Sequence, residues 1–148
     1  MALAVKDIRD LILERRLRER GSACFGGIVR TARVLPSEEV DALVTDGVDR
    51  GMLTEDDRCE ALEVDLVIRG RSCEDYSEVL LAVEVSPQVE LPDVELAVRV
   101  AAILAKLGSP AWPVVAGNGV TGAATRLIRS QAVWQLLDGS VIRPANNP

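Results

Sequence analysis

Two apolar stretches in the middle of the chain carry the clearest alternation of hydrophobic and polar positions. In residues 61–69, aliphatic residues occupy every second position, and a period of two predicts a strand whose successive side chains point to opposite faces. Glu63 and Asp65 therefore fall on one face. In residues 79–86, Glu84 interrupts a second aliphatic run. Because lone carboxylates are costly to bury, we expect these acids to be paired, to bind a cation, or to line a cleft mouth.

The N-terminal part of the chain is predicted to be mainly helical. Periodicity of 3.6 residues, capping residues and glycine or proline stops predict helices over residues 3–20, 37–51, 54–61 and 92–108. Residues 21–33 are ambiguous between a helical turn and a short strand, because Gly26 and Gly27 interrupt any period. The first helix carries several arginines opposite its apolar stripe, which predicts either phosphate contacts or a solvated face with i,i+4 pairs to acids such as Glu14.

The C-terminal half is predicted to alternate strands and helices. The two apolar strands pair antiparallel through the polar loop 70–77, and the strand 111–116 follows the helix 92–108, which implies a parallel crossover. A tight hairpin with Asp138 and Gly139 at its turn ends the fold. We therefore expect one α/β domain over residues 1–148, with a mixed sheet flanked by helices. Its parts are a helical third (1–60), an α/β core (61–143) and a polar tail (144–148).

Composition narrows the chemistry that is open to the chain. The 148 residues contain no histidine, which excludes Ser-His-Asp and Cys-His catalysis as well as histidine-ligated metal sites. The net charge of −6 argues against broad binding of nucleic acid. Cys24, Cys59 and Cys73 are widely spaced, which predicts reduced thiols. No apolar run is long enough for a membrane span and no signal-peptide pattern opens the sequence, so we expect a cytoplasmic protein without membrane contact.

The acidic strand pair resembles the metal-binding hairpin of the PD-(D/E)XK nuclease superfamily, which includes restriction-endonuclease-like and Holliday-junction-resolvase-like proteins. The matching residues are Asp65, on the first strand, and Glu84-Val85-Ser86, on the second. The resemblance covers residues 61 to about 137 and implies a restriction-endonuclease-like sheet. Ser86 stands where the family has the lysine that orients and activates the attacking water, so a two-carboxylate metal site is implied more strongly than cleavage.

What the resemblance implies for this chain is a Mg²⁺- or Mn²⁺-dependent hydrolase that cleaves DNA or RNA. Asp65, Glu84 and the carbonyl of Val85 would hold the cation, with Glu63 as a further ligand or orienting base. Ser86 or Gln88 would position water. In the family an acidic residue on the first helix often completes the site, and some members recruit a basic residue from the helix after the hairpin. Glu14 and Arg99 are the candidates for these two roles.

Two alternatives remain open. In the first, the fold has lost cleavage and is an interaction module, whose amphipathic first helix binds a helical partner or a second copy of the chain. In the second, residues 117–122, Gly-Asn-Gly-Val-Thr-Gly, match the G-x-G-x-x-G pattern between a strand and a helix and bind a nucleotide or dinucleotide, with Asp138 as the ribose-binding acid. A glycine-rich turn with Thr121 as helix N-cap explains the same residues without a ligand.

Overall fold

A computed structural model describes residues 8–145, and these residues form six helices and eight strands. In chain order they are α1 (Ile8–Glu19), α2 (Gly21–Phe25), β1 (Val29–Val34), α3 (Ser37–Asp49), α4 (Glu55–Ala61), β2 (Leu66–Ser72), β3 (Glu78–Val85), β4 (Gln88–Val89), α5 (Leu91–Ala105), β5 (Ala111–Gly117), β6 (Gly119–Val120), α6 (Gly122–Ser130), β7 (Trp134–Leu137) and β8 (Ser140–Ile142). Residues 3–7 of the predicted first helix and 146–148 of the predicted tail lie outside the described residues.

The main sheet has six strands in the order β1-β2-β3-β5-β7-β8. Strands β1, β2 and β3 run antiparallel to one another, β3, β5 and β7 run parallel, and β8 closes the edge antiparallel to β7. The short strands β4 and β6 pair in parallel beside it. These pairings confirm the α/β class, the antiparallel strand pair, the parallel crossover through α5 and the terminal hairpin.

Strand β3 is buried on both faces. Its alternate aliphatic residues lie in two different core clusters, as the alternation predicts. Leu81 and Val83 lie in one core cluster with Leu17 and Phe25 from the N-terminal helices. Leu80 and its neighbours on the opposite face pack in a second cluster with α3 and α5. A polar side chain near the end of this strand therefore lies beside aliphatic residues.

Helices α1 to α4 make up most of the described N-terminal part, and the strand β1 lies among them and forms an edge of the main sheet. The sequence left residues 21–33 ambiguous, and the structure places both α2 and the start of β1 there. The pattern of the strand is irregular. Thr31 has a φ of 51°, and the register with β2 shifts between Arg30 and Arg33. A bulge of this kind interrupts the alternation on which strand prediction depends.

The predicted start of the first apolar strand is also wrong. Helix α4 runs to Ala61, and the backbone N–H of Leu62 continues it by donating to the carbonyl of Arg58. Residues 62–65 form a turn, and β2 then continues past Gly70 to Ser72, so that the loop to β3 is shorter than predicted. Glu63 and Asp65 consequently do not share a strand face.

Local capping signals position the helices around the sheet. Thr54 and Asp57 form the predicted capping box at the start of α4. A similar reciprocal pair, Glu90 and Asp93, opens α5, with proline in the first turn. The three cysteines are free. Among residues 8–145, no helix has both the length and the apolar character that crossing a membrane requires.

Candidate functional site

The carboxylates of Asp65 and Glu84 lie together at the end of the β2–β3 strand pair. Leu66 pairs with Val83 in the antiparallel register, so Asp65, one residue before β2, lies opposite Glu84. The backbone N–H of Asp65 donates to Oε2 of Glu84 at 2.8 Å, and the backbone N–H of Val85 donates to Oδ2 of Asp65 at 2.9 Å. The strand pairing therefore continues by one residue with carboxylate oxygens as acceptors.

This pair lies at a partly buried position. Glu84 has 8% of its surface exposed, and Asp65 is half-buried. Glu84 also pairs across β3 and β5 with Val115, a fully buried residue. Removing a carboxylate from water is costly, and each backbone N–H donor offsets part of that cost. Two acids held next to each other in such surroundings are the arrangement that a hard cation stabilises.

The first helix is tied to the same end of the sheet through Arg18. Nη2 of Arg18 donates to the backbone carbonyl of Asp65 at 3.1 Å and lies 3.7 Å from a carboxylate oxygen of Glu14. Glu14, the candidate acid of the first helix, thus reaches this end of the sheet with Arg18 between it and the turn. A second i,i+4 pair joins Arg15 and Glu19. Both pairs were predicted for the solvated face of this helix.

The other predicted site residues take different positions. Glu63 is exposed in the turn after α4. The hydroxyl of Ser86 donates to the backbone carbonyl of Gln88 at 2.8 Å, so this serine closes the turn at Pro87. The structure therefore brings together Asp65, Glu84 and the backbone of Val85, with Ser86 adjacent in sequence, and it places Glu63 outside that group.

No cluster of three or more His, Cys, Asp or Glu side chains arranged to hold a metal is present within residues 8–145. A cation between Asp65 and Glu84 would therefore complete its shell with a carbonyl oxygen and waters, as Mg²⁺ does at sites with one or two carboxylates.

Two basic residues, one on α5 and one at its C-cap, join that helix to α4. Arg99 forms an ion pair with Glu60, and Nζ of Lys106 lies 3.2 Å from a carboxylate oxygen of Asp57. The hydrogen bond from the backbone N–H of Thr54 lowers the pKa of Asp57 most, and the hydrogen bond from Lys106 lowers it further. The partner of Arg99 is thus an acid on α4, and its position gives no support to the role of substitute lysine.

A groove opens between α1 and the carboxyl ends of β3 and β5. Its volume is about 720 Å³, and we call it the α1 groove; its lining includes Arg9, Leu13, Arg16, Ser86, Gln88 and Asn118. A neighbouring cavity of about 360 Å³ shares Leu13, Arg16 and Asn118 and extends to Asp138. The carboxyl ends of parallel strands are where α/β sheets commonly bind ligands. The sequence contained one signal of this groove, the arginine-rich face of the first helix.

The first glycine of residues 117–122 lies where two backbone segments approach closely. A Cβ atom on Gly117 would lie 2.0 Å from the carbonyl oxygen of Ser86, and one on Gly119 would lie 2.6 Å from Oε1 of Gln88. Thr121 caps α6 by accepting from the backbone N–H of Ala124, as predicted. The turn therefore needs Gly117 without any ligand, whereas a Cβ atom on Gly119 would meet only the movable end of the Gln88 side chain.

Asp138 lies at the turn of the terminal hairpin and accepts a hydrogen bond from Nδ2 of Asn118 at 2.8 Å. Its backbone N–H donates to the carbonyl of Gly117. This acid therefore ties the end of β7 to the turn after β5.

Comparison with known proteins found no relative of the chain. No protein-family model matches the chain, and no curated protein and no solved structure is significantly similar to it.

Proposed function

We propose that the chain is a divalent-metal-dependent phosphodiesterase of the PD-(D/E)XK type, with a restriction-endonuclease-like core and nucleic acid as its substrate. The observation that carries the proposal is the meeting of Asp65 and Glu84, each of which accepts a backbone hydrogen bond from the neighbouring strand or turn. The two residues come from separate elements, and they are the two acids of the family motif.

The donor set fits a hard cation. Carboxylate and carbonyl oxygens are the ligands that Mg²⁺ and Mn²⁺ prefer, and Asp65, Glu84 and the carbonyl of Val85 would supply them. A bound cation would lower the pKa of water and offset the negative charge that develops on a phosphodiester during attack. The half-buried position strengthens this electrostatic effect, because fewer water molecules screen the charges.

The residues of the chain itself set the limits of the reaction. Ser86 replaces the lysine of the motif and donates its hydroxyl proton within its own turn, so it fixes the end of β3 and supplies no positive charge. The chain has no lysine at this position to activate the attacking water. An arginine could not take over that role by proton transfer, because it is too weak an acid to exchange protons near neutral pH. We therefore expect slow hydrolysis that depends on the cation more strongly than in family members with the lysine.

A cleavage assay on the full chain tests this function. Supercoiled plasmid and a labelled single-stranded oligonucleotide should be nicked in Mg²⁺ or Mn²⁺ and left intact in EDTA. Asp65→Asn keeps the size of the side chain and removes its charge, and it should reduce the rate by about a hundredfold or more, since even changes outside the ligand shell cost 10–100-fold.

Asp46→Asn is the matched control, because Asp46 is an exposed residue of α3 paired with Arg50. Its rate should equal that of the wild type. A wild type that cleaves neither substrate in either cation would overturn the proposal, as would cleavage that survives Asp65→Asn.

An interaction module is the second candidate, and one observation favours it. Ile8, Leu11 and Ile12 of α1 are 73%, 53% and 57% exposed, while Leu17 on the other side of the helix is buried. An exposed aliphatic stripe at helical spacing suits pairing with a second copy of the helix. Light scattering should then give a dimer mass that Leu11→Glu converts to a monomer; a monomeric wild type at high concentration would remove this candidate.

Nucleotide binding at residues 117–122 has the least support, because close backbone packing explains Gly117 without a ligand. The measurement for it is a thermal shift with NAD and with ATP. A rise in melting temperature that saturates with ligand concentration would restore this candidate.

A further inference from the structure

The α1 groove holds two cations and two acids. Arg9 and Arg16 project from α1 into its lining, and Asp10 and Glu90 also lie there. Because the two positive and two negative side chains offset each other, the groove does not attract anions in general, which agrees with the net charge of −6. Binding of a phosphate would instead depend on an arginine that is available at one point.

Arg16 is that arginine. On the same helix, Arg15 is paired with Glu19 and Arg18 with Glu14, and Arg9 has an interaction partner. The side chain of Arg16 makes no hydrogen bond or ion pair with any other residue of the described range 8–145. It lines both the α1 groove and the cavity beside it.

The groove begins where the strand of the proposed cation site ends. Ser86 and Gln88 line it, and Ser86 lies two residues after Glu84. Its volume of about 720 Å³ lies within the range of about 300–1,000 Å³ typical of small-ligand pockets. Asn118 and Gln88 add side-chain amides, which can donate to phosphate oxygens or to the edge of a base.

We infer that the α1 groove binds a phosphate ester through Arg16, and that the ester is a phosphate of the single nucleic-acid strand whose neighbouring phosphodiester lies at Asp65 and Glu84. The naming of the ester as nucleic acid rests on the proposed function. With one available arginine and few aromatic residues, the groove holds one or two phosphates of a single strand and makes no stacking platform.

Fluorescence anisotropy with a labelled single-stranded 12-mer, in EDTA and at low salt, tests the inference without cleavage. Arg16→Gln should weaken binding by about tenfold, the loss expected for one charge-assisted hydrogen bond. It should also reduce the slope of log K against log salt by about 0.7, the value for one phosphate contact on a single strand. Arg16→Lys keeps the charge and should keep the slope.

Arg15→Gln is the matched control, since Arg15 is adjacent in sequence, carries the same charge and pairs with Glu19 away from the groove lining. It should leave both affinity and slope unchanged. Competition in the same assay distinguishes a mononucleotide site from a strand site. If an unlabelled mononucleotide displaces the labelled 12-mer at the same concentration as an unlabelled 12-mer does, the ligand is not a strand. That result would overturn the inference.

Equal weakening by Arg15→Gln and Arg16→Gln would also overturn it, because it would show a diffuse charge effect. So would a wild type that does not bind the 12-mer at low salt. The outcomes separate the two proposals. If binding depends on Arg16 but no cleavage is seen, the proposed phosphodiesterase activity is wrong and phosphate binding in the α1 groove stands. If the chain cleaves but its affinity does not depend on Arg16, only the proposal for the groove is wrong.

Discussion

Replacing Gly117 with alanine should loosen the segment that holds the end of β3. Gly117 is the last residue of β5, and a Cβ atom there would lie 2.0 Å from the carbonyl oxygen of Ser86 and 3.1 Å from Cγ2 of Val89. Ordinary carbon–oxygen contacts are about 3.3–3.6 Å even where they are attractive. The two backbones would therefore have to separate by more than about 1 Å.

The cost of that separation follows from the bonds across it. The backbone N–H of Ser86 donates to the carbonyl of Ala116 at 3.0 Å, and that of Asn118 donates to the carbonyl of Pro87 at 2.9 Å. Each bond contributes about 0.5–1.5 kcal/mol net, and forced overpacking adds about 1–3 kcal/mol. We expect Gly117→Ala to lower the free energy of unfolding by about 3 kcal/mol, which corresponds to a fall of about 10 °C in melting temperature.

Urea denaturation followed by tryptophan fluorescence measures this change. Gly122→Ala is the control in the same glycine-rich turn, because a Cβ atom on Gly122 would meet no atom within 4 Å. It should be neutral or stabilise by about 0.4–1 kcal/mol, since alanine narrows the unfolded ensemble. If Gly117→Ala is as stable as the wild type, the backbone contact does not explain this glycine, and nucleotide binding regains support.

Further predictions concern packing and charge. Trp134→Ala should cost about 3–5 kcal/mol, because this residue is 4% exposed and stacks on Trp112 with ring centroids 5.5 Å apart. The exposed aromatic residue Tyr76 is the control. If Tyr76→Ala lowers the free energy of unfolding as much as Trp134→Ala does, burial of Trp134 does not explain its contribution. Hydrogen bonds from the backbone of Thr54 and from Lys106 lower the pKa of Asp57 below the ordinary value of 3.8, so its charge stabilises the fold above that pH and ceases to do so as the pH falls through the lowered pKa. The stability difference between wild type and Asp57→Asn, measured by urea denaturation across pH, should be present at pH 7 and vanish in acid; a difference independent of pH would refute this.

Elements with local signals were predictable from the sequence. The capping box of Thr54 and Asp57 predicts the start of α4, and the tight turn at Asp138 and Gly139 predicts the last hairpin. Both depend on residues only a few positions apart, so the sequence alone carries the signal for them. The antiparallel pairing of the two acidic stretches was predictable as well, and it brings Asp65 opposite Glu84.

The remaining features depend on contacts that the sequence does not encode locally. The alternation over residues 62–65 resembles a strand, yet α4 extends to Ala61 and leaves these residues in a turn. Four residues of alternation are too few to separate the two structures. Strand β1 is defined by its partner β2 and contains a bulge at Thr31. The α1 groove exists only because the first helix packs across the carboxyl ends of distant strands.

A crystal of the full chain soaked in Mn²⁺ tests the central claim most directly, because anomalous scattering locates the cation independently of any activity. We expect a single strong peak between the carboxylates of Asp65 and Glu84, about 2.0–2.2 Å from an oxygen of each, and no such peak in Asp65→Asn. Density for Mn²⁺ elsewhere, or none at concentrations that saturate other two-carboxylate sites, would contradict it.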